Sequence, residues 1–358
     1  MKKTKSSTME IASVYIGTVI GAGFASGQEI IQFFTSYGSK GIYGILLAGV
    51  IFSLLGWAIL EIVYVRKIND YRNFIHLMMG EFLGNIMEWI VALFMFIIFC
   101  TMLAGTGALL RQQFHIPMQV GIFLMAGLSV IVFMYDIKGI IIVNYILAPL
   151  LLIGGILLGI YIIVFRDVAV FSSATSIFRL ITRNWITSSI LYVSYNTITA
   201  VVILTGLLPI IHSKKEAKWG GILGGAALGV LGLCVGLGTL IYYNNIRNLE
   251  IPILGIVMGY GTFAQYVYFF VLIAAIFTTA IANGYGFLKR VSMEFKMPLK
   301  KITPLFIIAS MVFAQVGFSK MVEKLYTLFG YVGIFEVLVI LIYFISRKVN
   351  KIKKRILR

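Results

Sequence analysis

Ten apolar stretches of about 20 residues each divide this sequence, and they restrict its fold more than any other feature. An α-helix needs about 20 mostly apolar residues to cross the hydrocarbon core of a bilayer. The whole chain agrees, because 60% of its 358 residues are hydrophobic and only 12% are charged. The sequence therefore predicts an all-α integral membrane protein with ten transmembrane helices, over residues 9–35, 41–65, 85–112, 117–134, 138–165, 185–211, 218–243, 263–288, 302–318 and 321–345.

The basic residues set the expected orientation. With the N-terminus in the cytoplasm, most of the 30 Lys and Arg residues fall in cytoplasmic spacers and in the tail 346–358. Since cytoplasmic loops are enriched in Lys and Arg, we expect both termini inside the cell. The net charge of +17 then reflects topology and attraction to the anionic lipid of the bilayer, and we expect no nucleic-acid partner. The apolar segment 246–260 is too short to cross, which predicts a helix packed across the outer face.

The first span contains an unusual stretch, GTVIGAGFASGQEII, at residues 17–31. A glycine inside a helix costs about 1 kcal/mol relative to alanine, and a charged side chain at the centre of a span costs at least ~2.5 kcal/mol. Both are present here, since four glycines precede Glu29. We expect the helix to be broken within 21–24, because unwound backbone survives in a membrane where it lines a cavity or is buried in protein. Alternatively, the glycines form a close helix-packing face.

Ten spans divide into two sets of five, and an odd number per set requires the second set to enter the membrane inverted. We expect a single transmembrane domain over 1–358, with a first five-helix repeat at 9–165 and an inverted repeat at 185–345. Span six is then the partner of span one, and its polar stretch 192–197 is the expected second break. The alternative is a continuous helix in which Asn196 is satisfied by an interhelical hydrogen bond.

These segments resemble a known family. YIGTVIGAGF in span one and FFVLIAAIFTTAIANGYGFL in span eight are similar to the sodium-coupled amino-acid transporters of the LeuT type. GAGFASGQE resembles more narrowly the YkvI-like bacterial membrane proteins, within the amino acid–polyamine–organocation (APC) superfamily. The resemblance covers nearly the whole chain and implies a LeuT-like 5+5 inverted repeat with broken helices 1 and 6, in the plasma membrane of a bacterium.

The resemblance also implies one sodium ion between spans one and eight, as the coupling ion and with no other cofactor. Its expected ligands are the carbonyls of Gly17, Ile20 and Ala275 and the hydroxyls of Thr278 and Thr279. Alternatively, the two threonines bond back to carbonyls one turn earlier in their own helix. The second sodium site of the family is not expected, since Phe24 and Val193 stand where it has Asn and Thr. A proton-coupling lysine in span five is also not indicated, because that span offers only Lys138 at its start.

The substrate is expected at the two breaks, where the resemblance implies the contacts Gly21, Ala22, Gly23, Phe24, Thr101, Tyr195, Asn196 and Thr197. Glu29 has three open roles: an outer gate paired with Lys324, a cavity group that binds a substrate ammonium, or a structural ion pair. Glu336, in the middle of span ten, is either a hydrogen-bonded structural group or a proton-coupling site.

The leading prediction is a sodium-coupled symporter of a small amino acid or related amine, with oligomeric state left open. No nucleotide-binding loop and no metal-type cluster of His, Cys and Asp occurs in the sequence, so neither ATP-driven transport nor an enzyme is indicated. The alternatives are a transporter-like receptor or germinant sensor, and a proton-coupled transporter using Glu336 or Glu29. A channel is disfavoured because no regular run of pore-lining polar residues is visible.

Overall fold

The computed structural model of the protein describes residues 2–134 and 184–356, and all secondary structure in these ranges is helical. The predicted span 138–165, with Lys138, lies outside the described residues. A π-helical turn, Val322–Tyr326, precedes the last helix. The α-helices are α1 Lys2–Val19, α2 Ala22–Ala25, α3 Gln28–Phe33, α4 Lys40–Arg66, α5 Tyr71–Phe114, α6 Met118–Met134, α7 Trp185–Thr205, α8 Lys214–Ile241, α9 Tyr243–Ile246, α10 Pro252–Met258, α11 Thr262–Phe295, α12 Leu299–Ala314, α13 Phe318–Met321 and α14 Thr327–Ile356.

Six helical segments in the described residues are long and apolar enough to cross a membrane: α4, α5, α7, α8, α11 and the stretch Phe318–Val349. They match six of the ten predicted spans. The spans predicted at 117–134 and 302–318 are the shorter helices α6 and α12, of 17 and 16 residues. The structure thus supports a multi-pass helical membrane protein, whereas the count of ten and the inverted repeat stay predictions.

The ends of several long helices follow from local sequence. Asp70, Asn184 and Ser213 precede α5, α7 and α8, and each side chain accepts a hydrogen bond from a backbone N–H in the first turn. Such short polar side chains are favoured there because the first turn of a helix leaves its N–H groups without partners. These three helices therefore have starting points that the sequence itself defines.

The first helix is broken, as predicted. Helix α1 ends at Val19, and a short turn of helix, α2, follows the non-helical residues Ile20 and Gly21. A second change of direction occurs at Gly27, whose φ of +80° lies in the left-handed region that glycine tolerates best. Helix α3 then begins at Gln28, so the span consists of three helical pieces rather than one.

The predicted break of helix six is wrong for this structure, because α7 is a continuous helix through 192–197. The polar side chains of this stretch bond within their own helix. The Asn196 amide donates to the Tyr192 carbonyl at 3.0 Å, and the Thr197 hydroxyl donates to the Val193 carbonyl at 2.7 Å. These bonds satisfy the polar groups without unwinding the backbone, and the stretch lacks the glycine that weakens α1.

The long helices pack in two groups. Helix group A consists of α1, α4, α7 and α8, and helix group B consists of α5, α6, α11 and α12. Helix α14 packs against α7 and α4 of group A. The short helix α2 contacts α11 of group B, so the broken first span connects the two groups.

Helices α4 and α8 approach so closely that their backbones touch. A Cβ added to Gly49 would lie 2.9 Å from the α-carbon of Gly229, and one added to Gly56 would lie 2.9 Å from the Gly221 carbonyl oxygen. The ring of Tyr15 from α1 lies beside the same contact, and its hydroxyl donates to the Phe52 carbonyl at 3.0 Å. Such small-residue contacts allow close helix packing in a bilayer. They fix α1 to the α4–α8 pair.

Candidate functional site

The interruption of the first helix, at the half-buried residues Ile20 and Gly21, changes the backbone hydrogen bonds. The Gly21 N–H bonds to the Val19 carbonyl at 2.9 Å instead of reaching Gly17, and a new turn begins where the Ala25 N–H bonds to the Gly21 carbonyl at 3.0 Å. The carbonyl of Gly17 thereby loses the donor that a continuous helix would provide. A carbonyl released in this way is available to a ligand or an ion.

Helix α11 packs directly against this interruption. A Cβ added to Gly21 would lie 3.5 Å from the Thr279 hydroxyl oxygen. The Tyr268 hydroxyl donates to the Ala25 carbonyl at 2.9 Å, which fixes the far side of α2 to the same helix. The contact between spans one and eight, which the sodium prediction requires, is therefore present.

The remaining predicted sodium ligands are arranged as follows. Ala275 and Thr278 are buried, and the Thr278 hydroxyl donates to the Ala275 carbonyl at 3.1 Å. This bond is the back-bond within its own helix that was the alternative role of Thr278. A hydroxyl oxygen that donates its hydrogen keeps its lone pairs, so the bond does not prevent the oxygen from also binding an ion. Ile20 is half-buried and Gly17 is exposed. The structure thus brings Thr279 to the interruption, while sodium binding by the five residues stays a prediction.

The turn at Gly27 places Glu29 in the first turn of α3 and directs it back toward the interruption. The Ser26 hydroxyl donates to the Gly23 carbonyl at 2.9 Å and accepts from the Gln28 N–H at 3.2 Å, which stabilises the turn. The Glu29 side chain lies directly on Gly23, so a methyl group at position 23 would overlap its Oε1 atom. Only 5% of the Glu29 surface is exposed.

Three phenol groups lie near the carboxyl group of Glu29. Those of Tyr192, Tyr195 and Tyr326 interact with it electrostatically, and the Tyr195 hydroxyl also interacts with it as a hydrogen-bond donor. The Tyr195 ring centroid is 5.1 Å from that of Tyr326 and 5.4 Å from that of Phe33. We call Tyr192, Tyr195, Tyr326 and Phe33 the aromatic cluster.

The predicted substrate residues do not all meet at one place. Gly21 lies at the interruption beside Thr279, Gly23 lies in α2 beside Glu29, and Tyr195 belongs to the aromatic cluster. Thr101 is buried beside the residues before the π-helical turn, with its hydroxyl 3.7 Å from the Met321 sulfur. Ala22 and Phe24 are buried in α2. Asn196 and Thr197 bond within α7, and no bond from either to the interruption is seen in the described residues.

Sequence reasoning missed three residues of this site. Tyr268 holds α2, and Tyr326 and Phe33 complete the aromatic cluster. Aromatic residues are too common in apolar spans to mark a site by themselves. The π-helical turn at Val322–Tyr326 gave no recognised signal, although such turns occur often at functional sites.

The predicted gate partners do not meet in this structure. Glu29 is buried, whereas Lys324 is exposed, and the described residues show no ion pair between them. Of the three roles left open for Glu29, the structural ion pair has no support here. Glu336 is fully buried in α14, and its Oε1 atom accepts from the Tyr71 hydroxyl at 3.3 Å. A proton-coupling role of Glu336 stays a prediction.

Two ion-pair clusters join helices elsewhere in the bundle. Glu61 of α4 contacts Lys214 of α8 at 3.0 Å and Lys348 of α14 at 3.1 Å. Glu88 of α5 contacts Arg290 of α11 at 3.1 Å. The first cluster connects α14 to group A, and the second connects two helices of group B. These acids therefore have structural partners, in contrast to Glu29.

The bundle and its interrupted helix define the class: a multi-pass helical membrane protein with a buried acid at a break in the first span. No family model matches the chain. It is 30% identical to the membrane protein YkvI of Bacillus subtilis (strain 168) over 337 residues, which cover 93% of this chain and 95% of the relative. It is 28% identical over 333 residues to the protein YyaD of the same organism, covering 93% and 96%. The chain belongs to the YkvI family of membrane proteins.

The fold is also similar to that of solved transporters. A crystal structure of a mutant manganese transporter of Eremococcus coleocola matches with a TM-score of 0.61 and 11% identity, over 92% of this chain and 77% of that one. The same transporter in complex with an aromatic bis-isothiourea compound matches with a TM-score of 0.61 and 13% identity, over 95% and 79%. At this identity the likeness shows a shared fold alone.

Proposed function

We propose that this protein is a non-enzymatic secondary transporter that moves a small molecule by alternating access around the interrupted first helix. The observation that carries the proposal is the position of the interruption. Its two residues, Ile20 and Gly21, are half-buried and lie between helix groups A and B, with α1 packed on α8 and α2 packed on α11. In hydrocarbon, non-helical backbone is tolerated where it lines a cavity or is buried in protein, and discontinuous helices form the substrate sites of many secondary transporters.

We further propose a sodium-coupled symporter of a small amino acid or related amine within the APC superfamily. Its ten spans form a 5+5 inverted repeat, and both termini are cytoplasmic. The ion site consists of Gly17, Ile20, Ala275, Thr278 and Thr279. Two observations support this ion site. The Gly17 carbonyl loses its helical donor, and the Thr279 hydroxyl lies beside Gly21. Neutral oxygen ligands at close quarters suit a dehydrated alkali cation.

A proton-coupled transporter is the second candidate, favoured by the buried Glu29. Intramembrane acids commonly mark ion and proton pathways. This carboxyl group forms no ion pair in the described residues, in contrast to Glu61 and Glu88. A receptor that uses a transporter fold is the alternative from another functional class, because fold alone does not decide function.

Uptake by purified protein in proteoliposomes tests these proposals. A screen of radiolabelled amino acids and amines is run with an inward sodium gradient, with potassium in place of sodium, and with a proton gradient alone. A sodium-coupled symporter accumulates its substrate with the first gradient only. Accumulation driven by the proton gradient alone supports the second candidate. Ligand binding without accumulation under any gradient would contradict a transport function and support a receptor.

A further inference from the structure

We propose that Glu29 binds the ammonium group of the transported substrate, so that the protein selects protonated amines by their positive charge. This inference rests on the proposed transport function, but it concerns binding and is tested separately from transport. Four features of the site support it: the direction of the carboxyl group, the lack of a cationic side chain beside it among the described residues, the three tyrosines that interact with it, and a ligand set unsuited to a divalent metal.

The direction of the carboxyl group is fixed by the chain. The left-handed turn at Gly27 reverses the backbone between α2 and α3, and the Ser26 hydroxyl bridges that turn. As a result Glu29 points at Gly23 beside the interruption, and it forms no ion pair with the exposed Lys324. The side chain occupies the space that any residue larger than glycine would need at position 23. The carboxyl group therefore has a fixed position against Gly23, two residues after the interruption.

The charge of this carboxyl group has no counterpart among the described residues. Its Oε2 atom is buried without a hydrogen-bond partner there, and no Lys, Arg or His nitrogen lies within 4.0 Å of it. The buried Tyr192 hydroxyl nearby also has no hydrogen-bond partner among those residues. A buried acid without a cationic partner in proteins either takes up a proton or binds a positively charged ligand, and a position beside the interrupted helix favours the ligand.

The surrounding rings favour an organic cation. The faces of Tyr and Phe rings attract an ammonium group through their quadrupole, and this attraction is stronger when the cation is desolvated. Tyr195 lies 5.1 Å from Tyr326 and 5.4 Å from Phe33, measured between ring centroids, and all three are buried. A protonated amine has a charged ammonium group and an apolar remainder. The carboxylate suits the ammonium group, and the neighbouring aromatic rings suit the apolar remainder.

A divalent metal fits this site poorly, even though the fold is shared with a manganese transporter. Manganese prefers several carboxylate, carbonyl or water oxygens. The described residues contain no group of three or more His, Cys, Asp and Glu side chains that could hold a metal ion. One carboxylate among phenol and phenyl rings is therefore better suited to an ammonium group than to Mn²⁺.

Binding to the purified full-length protein tests the inference. Thermal stabilisation and isothermal titration are measured with phenethylamine, putrescine and the standard amino acids, each beside its counterpart in which every amino group is acetylated. We expect at least one amine to bind and its acetylated form to lose binding, because acetylation removes the charge. Absence of binding by every free amine, or equal binding by an acetylated form, overturns the inference.

Glu29→Gln provides the direct test, since it keeps the shape of the side chain and removes its charge. We expect amine binding to weaken by about 100-fold or more, because an unpaired charge would then be buried in the complex. Glu10→Gln is the matched control, as Glu10 is exposed on α1. It should bind amines as the wild type does. Unchanged affinity in Glu29→Gln overturns the inference even when proton-driven uptake is lost, because that result assigns Glu29 to proton coupling.

Gly23→Ala tests the geometry without touching the charge. The added methyl group overlaps the Glu29 carboxyl group and displaces it, so amine binding should fall by about 10-fold or more. Gly127→Ala is the control, since a Cβ at that position in α6 meets no atom within 4 Å. Wild-type affinity in Gly23→Ala contradicts the placement of the ammonium group. If amines bind through Glu29 but no gradient drives uptake, the ammonium site stands and the transport proposal falls.

Discussion

The predicted sodium site can be tested with one methyl-for-hydroxyl exchange, Thr279→Val. This substitution keeps the shape of the side chain and removes the oxygen that lies 3.5 Å from a Cβ position at Gly21. A hydrogen bond to a charged group contributes about 1.5–3 kcal/mol, and we take the same range for one oxygen ligand of sodium. Since about 1.4 kcal/mol corresponds to a factor of ten, the sodium affinity should fall by about 10- to 150-fold.

The assay is thermal unfolding of the purified protein over a range of sodium concentrations, with potassium keeping ionic strength constant. A ligand that binds only the folded state stabilises it by RT ln(1 + [L]/Kd), which is about 2.7 kcal/mol at 100 times Kd. If Kd rises about 50-fold, the same concentration is only about twice Kd and the stabilisation falls to about 0.6 kcal/mol. The difference is large enough to appear as a change in melting temperature.

The control is Thr106→Val, since Thr106 is fully buried in α5 and its hydroxyl donates to the Met102 carbonyl at 3.1 Å. It should change basal stability without changing the sodium response. Thr278→Val should weaken sodium binding in the same way as Thr279→Val if the Thr278 oxygen is shared between the Ala275 carbonyl and the ion. Sodium stabilisation of wild-type strength in the Thr278→Val/Thr279→Val double variant would refute the site. So would a wild-type protein that responds equally to sodium and potassium.

Two further predictions concern the segment that carries Glu29. Gly27→Ala should lower the free energy of unfolding by about 1–2 kcal/mol, because φ is +80° there and the new Cβ meets Ile253 at 2.7 Å. Gly127→Ala, inside an open helical position, should instead stabilise by up to about 1 kcal/mol, and equal melting temperatures for the two variants would contradict the assigned turn. Exchanging the charges of Glu29 and Lys324 should restore no more uptake than either single reversal if Glu29 binds substrate, whereas recovery in the exchanged protein would indicate the gate pairing.

The long apolar helices were predictable because their signals are local. The span predicted at 41–65 is the helix Lys40–Arg66, since its length and composition are set by the membrane rather than by distant contacts. The break predicted within 21–24 is confirmed at Gly21, where a second glycine two residues later weakens the helix further. In both places, nearby residues and the thickness of the membrane decide the structure without help from distant contacts.

The candidate site was less predictable because it depends on distant contacts. The polar stretch 192–197 was expected to unwind, but side-chain bonds back to its own helix satisfy it, and a pattern of residue types does not distinguish these two outcomes. The direction of Glu29 depends on the φ angle of Gly27. Its ring neighbours Tyr195 and Tyr326 lie far away in the sequence and meet only in the folded bundle.

The two attachments of the first span make Ile20–Gly21 a hinge. On one side Tyr15 fixes α1 to the backbone contact between α4 and α8, a contact that has no side chains to absorb sliding. On the other side the Tyr268 hydroxyl fixes α2 to α11. Helix α1, before the hinge, is thus attached to group A, and helix α2, after it, is attached to group B. Helix α3 returns to group A, since the Ser188 hydroxyl of α7 donates to the Phe33 carbonyl at 2.7 Å. Rocking of one group against the other would therefore be taken up by backbone rotation at both ends of α2, at Ile20–Gly21 beside Thr279 and at the Gly27 turn before Glu29, and this rotation would change the shape of the site.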